Sequence, residues 1–130
     1  MRNYINKGVS SSSGDKYSMF VGRWQPWHEG HRFIIDEQLN EGKKVLLCVR
    51  DVPQDEKNPF TTEWVVNNLN EELSELISEG KVKIMIIPDI ESINYGRGVG
   101  YDIIEHVPPA NIADISATKI REKMKTDGLL

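Results

Sequence analysis

Residues 17–31 read YSMFVGRWQPWHEGH. The opening is a β-prone run that ends in Gly22; a loop around Pro26 follows, and a helical pattern runs from Glu29 to about Asn40. In that helix Phe33, Ile34 and Leu39 are placed to face a core, and Gly42 is placed to stop it. Residues 43–50, KKVLLCVR, form a continuous apolar run of the kind found in strands buried on both faces. A polar, proline-bearing loop, DVPQDEKNPF, occupies residues 51–60. Thr61 or Thr62 can then cap one long helix in which Val65, Val66, Leu69, Leu73, Leu76 and Ile77 recur at helical spacing, ended by Gly80. Residues 81–88, KVKIMIIP, read as a third strand.

Strand, helix, strand, helix, strand predicts an α/β fold: a Rossmann-like parallel sheet joined by right-handed crossovers, with helices on both faces. Ligands in such sheets bind beyond the carboxyl ends of the strands. Two loops lie at such ends, residues 22–31 and residues 89–102, DIESINYGRGVGYD. The chain then runs through residues 115–125, ISATKIREKMK, a loop entering a final helix with Ser116 near its start. Residues 89–114 leave room for no complete second half of the sheet, because each further parallel strand needs a crossover of about a dozen residues. That half is expected to be abbreviated, or completed by another subunit.

A chain of 130 residues suits one domain, placed at 17–130, with the serine-bearing residues 1–16 read as a flexible tail. The net charge of −4 argues against a nucleic-acid-binding surface, which normally shows a basic excess. Cys48 is the only cysteine, so no intramolecular disulfide and no cysteine zinc site can form; within VLLCV it reads as buried and inert. No apolar stretch is long enough to span a membrane, and the start lacks the apolar core of a signal peptide, so a cytoplasmic location is expected.

His28 and His31 stand three apart at a helix start and project from one face. Free backbone N–H groups and the positive end of the helix dipole make that place a natural seat for phosphate. Two donors beside it can stabilise charge that develops on a phosphoryl group. Zinc ligation by the pair needs a third ligand from His106 or a carboxylate, and a zinc hydrolase is the weakest of the readings. Trp24 and Trp64 suit core or rim at least as well as ligand contact.

GRWQPWHEGH resembles the GRFxPxHxGH signature of the cytidylyltransferase-like nucleotidylyltransferase superfamily. Residues 115–121, ISATKIR, resemble its second signature, ISSTxIR. KNPFTTEW, residues 57–64, is similar to a stretch of archaeal-type nicotinamide mononucleotide adenylyltransferases, with Trp64 where the relatives carry arginine. The resemblance implies a Rossmann-like sheet that binds a nucleoside triphosphate, ATP or CTP, with Mg²⁺ held mainly by the triphosphate. A phosphorylated small-molecule acceptor attacks the α-phosphorus and pyrophosphate leaves. It further implies that His28 and His31 contact the α-phosphate, that Gly22 and Gly30 give the nucleotide room, and that Ser116, Thr118 and Arg121 hold the β and γ phosphates. Lys57 falls where relatives carry a phosphate-binding lysine, and Arg23 joins the nucleotide-binding set. Gly96 and Arg97, in a glycine-rich stretch with Gly98 and Gly100, are assigned to nucleotide or acceptor binding. The small relatives are commonly homodimers, so a homodimer is one expected assembly. The alternative function is a nucleotide-binding or regulatory module without turnover.

Overall fold

The structure is a computed structural model, and it describes residues 15–97, 100, 102–113 and 116–128. Three strands, β1 (Tyr17–Gly22), β2 (Lys44–Asp51) and β3 (Val82–Pro88), form a parallel sheet in the order β1-β2-β3. Helix α1 (Glu29–Leu39) connects the first two strands. Helices α2 (Thr62–Glu72) and α3 (Ser74–Ser78) connect the second and third. A short turn of helix, α4 (Ala110–Ala113), and helix α5 (Ala117–Thr126) follow. This is the α/β, Rossmann-like arrangement expected, and among the described residues no fourth strand joins it.

Both crossovers step in the same direction, so right-handed connections place α1 and α2 on the same face of the sheet. The core forms there. Val45, Leu47 and Val49 alternate along β2 and meet Ile35 of α1 and Val65 and Leu69 of α2, all of them fully buried. In register, Met19, Leu46 and Lys83 share the opposite face, where Met19 is exposed and Leu46 half-buried. The expectation of a β2 buried on both faces holds on this face at Cys48 and is corrected at Leu46, which is half-buried. Cys48 is buried, as read, and burial pushes its thiol pKa up.

Two helix expectations change in detail. The single long helix after Thr61 is two, because Leu73 leaves the helical region at φ −116° and separates α2 from α3. Thr61 does cap α2, its side chain accepting from the Trp64 N–H. In α1 the fully buried apolar side chain is Ile35, whereas Phe33, Ile34 and Leu39 are partly buried. Gly42 and Gly80 end α1 and α3 with φ of +80° and +74°, the left-handed region that glycine enters at no steric cost.

Residues 1–14 of the expected tail lie outside the described residues, and Asp15 pairs with Lys44 at 2.8 Å. No helix among the described residues is long and apolar enough to cross a membrane.

Candidate nucleotide-binding site

Because the strands are parallel, the loops that leave β1, β2 and β3 all emerge at one edge, the carboxyl edge. The first of them, residues 23–28, is held by its own aromatics. Trp24 sits at φ +52°, a backbone region costly for a bulky residue. Its indole is buried and donates from Nε1 to the Cys48 carbonyl at 3.1 Å, which keeps it there. The same ring lies on Gly22, where an added Cβ would meet it at 2.9 Å. Gly22→Ala is therefore expected to cost about 1–3 kcal/mol by overpacking, read as a lower midpoint in urea unfolding.

His28 is the N-cap of α1, and its Nδ1 accepts from the Gly30 N–H at 3.0 Å. His31, one turn into the helix, accepts at Nδ1 from the His28 N–H at 3.2 Å. A neutral imidazole that accepts at Nδ1 carries its proton on Nε2. Both rings thus hold one tautomer and keep an Nε2–H to donate. They stack with centroids 3.7 Å apart and planes 20° apart. Gly30 makes that possible, since a Cβ there would come within 2.9 Å of the His28 ring. Trp24 stands edge-on to His31 at 4.8 Å and Trp27 lies beside it at 5.2 Å. Burial, and then His28, push the His31 pKa down to about 3; burial also lowers that of His28. The pair is neutral at physiological pH.

The second loop is folded on Asp55. Its Oδ1 accepts from the backbone N–H groups of Lys57 and Asn58 and from the Asn58 side-chain amide. These bonds, the Asn58 N–H first, hold the Asp55 pKa below its ordinary value. Asn58, buried, then accepts at Oδ1 from Arg23 Nη1 at 3.2 Å. Gln25, also buried, makes two bonds to Phe60: Nε2 donates to its carbonyl and Oε1 accepts from its N–H, each at 3.0 Å.

Helix α5 arrives from the other side. Ser116 is its N-cap and accepts at Oγ from the Lys119 N–H at 3.1 Å. Arg121 donates from Nη1 to the Gln25 carbonyl at 2.6 Å and from Nη2 to Thr118 Oγ1 at 3.4 Å. Burial first, and the nearby Arg23 second, lower the Arg121 pKa, though a guanidinium stays charged at any ordinary pH. Both arginines are held by neutral acceptors, and among the described residues neither forms an ion pair with a carboxylate. Two neighbouring guanidiniums held by neutral acceptors make an anion-seeking corner, with the Asp55 and Glu122 carboxylates within electrostatic reach of Arg23 and Arg121. An open cavity of ≈ 460 Å³, lined by Trp27, His28, Glu29, Arg32, Glu72 and Ile120, adjoins His28.

Of the expected residues, His28, His31, Gly22, Gly30, Arg23, Ser116, Thr118 and Arg121 fall in this one constellation. Lys57 is exposed, and its loop reaches the constellation through Asn58, which holds Arg23, and Phe60, which Gln25 clamps. Gly96 and Arg97 are exposed on irregular chain, with nothing linking them to the histidines among the described residues. Gly98, Tyr101 and Ile115 lie outside the described residues. The described residues hold no cluster of three His, Cys, Asp or Glu fit for a metal; His106 instead faces Glu37 of α1 at 3.6 Å. Gln25 and Asn58 were not singled out from the sequence, since a buried amide that bonds across 35 residues leaves no local pattern.

No protein-family model matches the chain. Several curated proteins do, among them these named nicotinamide-nucleotide adenylyltransferase. That of Thermococcus sibiricus is 36% identical over 75 residues, 55% of this chain and 40% of the relative. That of Methanocorpusculum labreanum is 26% identical over 113 residues, 85% of this chain and 64% of the relative. That of Thermococcus onnurineus is 31% identical over 77 residues, 58% of this chain and 41% of the relative. The chain is thus similar to adenylyltransferases while spanning 40–64% of the length of these relatives.

Proposed function

We propose that this chain binds ATP across the histidine pair and the two arginines, and transfers its adenylyl group to a phosphorylated small molecule. The observation that carries this reading is the stacked, neutral pair at the start of α1, with both Nδ1 atoms occupied and both Nε2–H groups left to donate. Neutral donors fixed in advance suit an α-phosphate, which gains charge on its outer oxygens as the transition state forms. Arg23, Arg121 and the amino end of α5 suit the β and γ phosphates.

An oxygen of the acceptor's phosphate attacks the α-phosphorus in line as the bond to the β-phosphate oxygen breaks. Pyrophosphate leaves carrying that oxygen and its charge, and no bond to the protein forms. Magnesium would travel with the triphosphate and neutralise charge along it. The donors gathered here are N–H groups and guanidiniums, which fit phosphate oxygens and not a metal, so the ion's ligands would be those of the nucleotide. The names of the similar proteins favour ATP over CTP, and make nicotinamide mononucleotide the first acceptor to try.

Calorimetric titration with ATP, CTP, GTP and UTP, each with Mg²⁺, tests the donor, and pyrophosphate release with phosphorylated acceptors tests the reaction. Preference for ATP with acceptor-dependent pyrophosphate release is expected. Saturable binding with the triphosphate left intact would instead identify a nucleotide-binding module. Binding of none of the four would overturn the reading altogether.

A further inference from the structure

Gln25 touches all three segments of the constellation. Its side chain makes a two-point clamp on the Phe60 backbone, at the start of α2. Its carbonyl takes the short bond from Arg121 of α5. Its own backbone lies between Trp24, anchored on β2, and Pro26. Asn58, two residues before Phe60, holds Arg23. Both guanidiniums are therefore tied to one residue: Arg121 to the Gln25 backbone carbonyl, and Arg23 through loop 55–60, which the Gln25 side chain clamps. Repulsion between the guanidiniums works against this arrangement. Asp55 offsets part of that repulsion at Arg23, and the two loops are bridged by Arg23 with Asn58 and by Gln25 with Phe60.

We propose that the Gln25 side chain is a positioning group that locks loop 55–60 onto the histidine loop in the ligand-free protein, holding Arg23 near the Arg121 guanidinium so that both can meet a phosphate chain. This rests on the nucleotide-binding reading above. The Gln25 side chain meets no substrate in it and acts through Arg23. An amide suits the task because it donates and accepts at once, matching both polar atoms of one backbone residue. It adds no charge that would pair with the guanidiniums and compete with the phosphates.

Gln25→Met keeps the volume of the side chain and removes both bonds to Phe60. Calorimetry with inorganic tripolyphosphate on the wild type, Gln25→Met, Arg23→Ala and the double variant is the test, with a urea midpoint for each. Gln25→Met is expected to weaken tripolyphosphate about tenfold, the scale of losing one well-placed bond to a charged group. In the Arg23→Ala background the same change should cost far less affinity, because its target is gone, while its effect on the urea midpoint stays the same. Affinity losses that simply add, or a stability loss with affinity unchanged, would reduce Gln25 to a structural residue and overturn the proposal.

A ligand-free readout separates this from failure of the wider reading. The Arg23 guanidinium N–H signals should be resolved and slowly exchanging in the free wild type, and averaged in Gln25→Met. If tripolyphosphate binds nowhere yet those signals behave as described, the nucleotide reading fails and the lock stands. Signals unaffected by Gln25→Met sink the lock whether or not the anion binds.

Discussion

His28→Asn is expected to lower turnover about 10²–10³-fold, the range seen when one pre-placed donor to a developing oxyanion is lost. Nucleotide affinity should barely change. Asparagine is chosen over alanine because His28 has two duties. Its Nδ1 caps α1 by accepting from the Gly30 N–H, and its Nε2–H is left to donate. Alanine would lose both, adding roughly 1 kcal/mol of capping energy to the result. Asparagine is among the best N-caps and keeps the acceptor, so the change isolates the Nε2–H donor. Initial rates of pyrophosphate release, set beside calorimetric affinity, give the comparison. Equal losses in rate and affinity would make His28 a binding residue and remove the transition-state role. Gly30→Ala should act on the same atom from a distance, since its Cβ would press on the His28 ring at 2.9 Å.

The parts of this molecule that sequence makes legible are those whose physics is local. VLLCV reads as a strand because an unbroken apolar run of that length can only be buried. Ser116 reads as a cap because capping needs only a hydroxyl and the next three residues. The break between α2 and α3 was not legible, because the apolar spacing continues through Leu73, whose side chain is buried even as its backbone turns out of the helix. Ile35 was missed for a related reason: three apolar residues in a row at 33–35 satisfy more than one face. In the site, the histidines announced themselves by spacing, and the resemblance to known signatures placed Arg121. The work of the tryptophans did not show. Trp24 and Trp27 wall in His31, and Trp24 also fills the space over Gly22 that a glycine in a phosphate loop suggests for the ligand. Such roles depend on which rings meet after folding, and composition cannot order them.

That aromatic wall has a consequence for stability. The His31 pKa is about 3 in the folded protein, against 6.5 for an ordinary histidine, because burial and the neighbouring His28 oppose its charge. Between those values the unfolded chain binds a proton that the folded chain refuses, so stability must fall as pH falls. It is fully present above about pH 6.5 and declines through the window down to about pH 3, by at most about 1.4 kcal/mol per pH unit for each such proton. His28, whose pKa is also lowered by burial, adds to the upper part of the window. Asp55 contributes in the same direction, since its bonds from Asn58 and Lys57 favour the carboxylate, but only once the pH nears its ordinary value of 3.8. The drop between pH 6.5 and 4.5 therefore belongs to the histidines, and urea midpoints across that range should lose on the order of 2–3 kcal/mol. His31→Phe keeps a ring between the two tryptophans and removes the titration, so its profile should be clearly flatter. An unchanged slope in that variant would mean that His31 charges freely in the folded state. The pair would then be cationic in weak acid, and fixed neutral donors would no longer describe the chemistry at the start of α1.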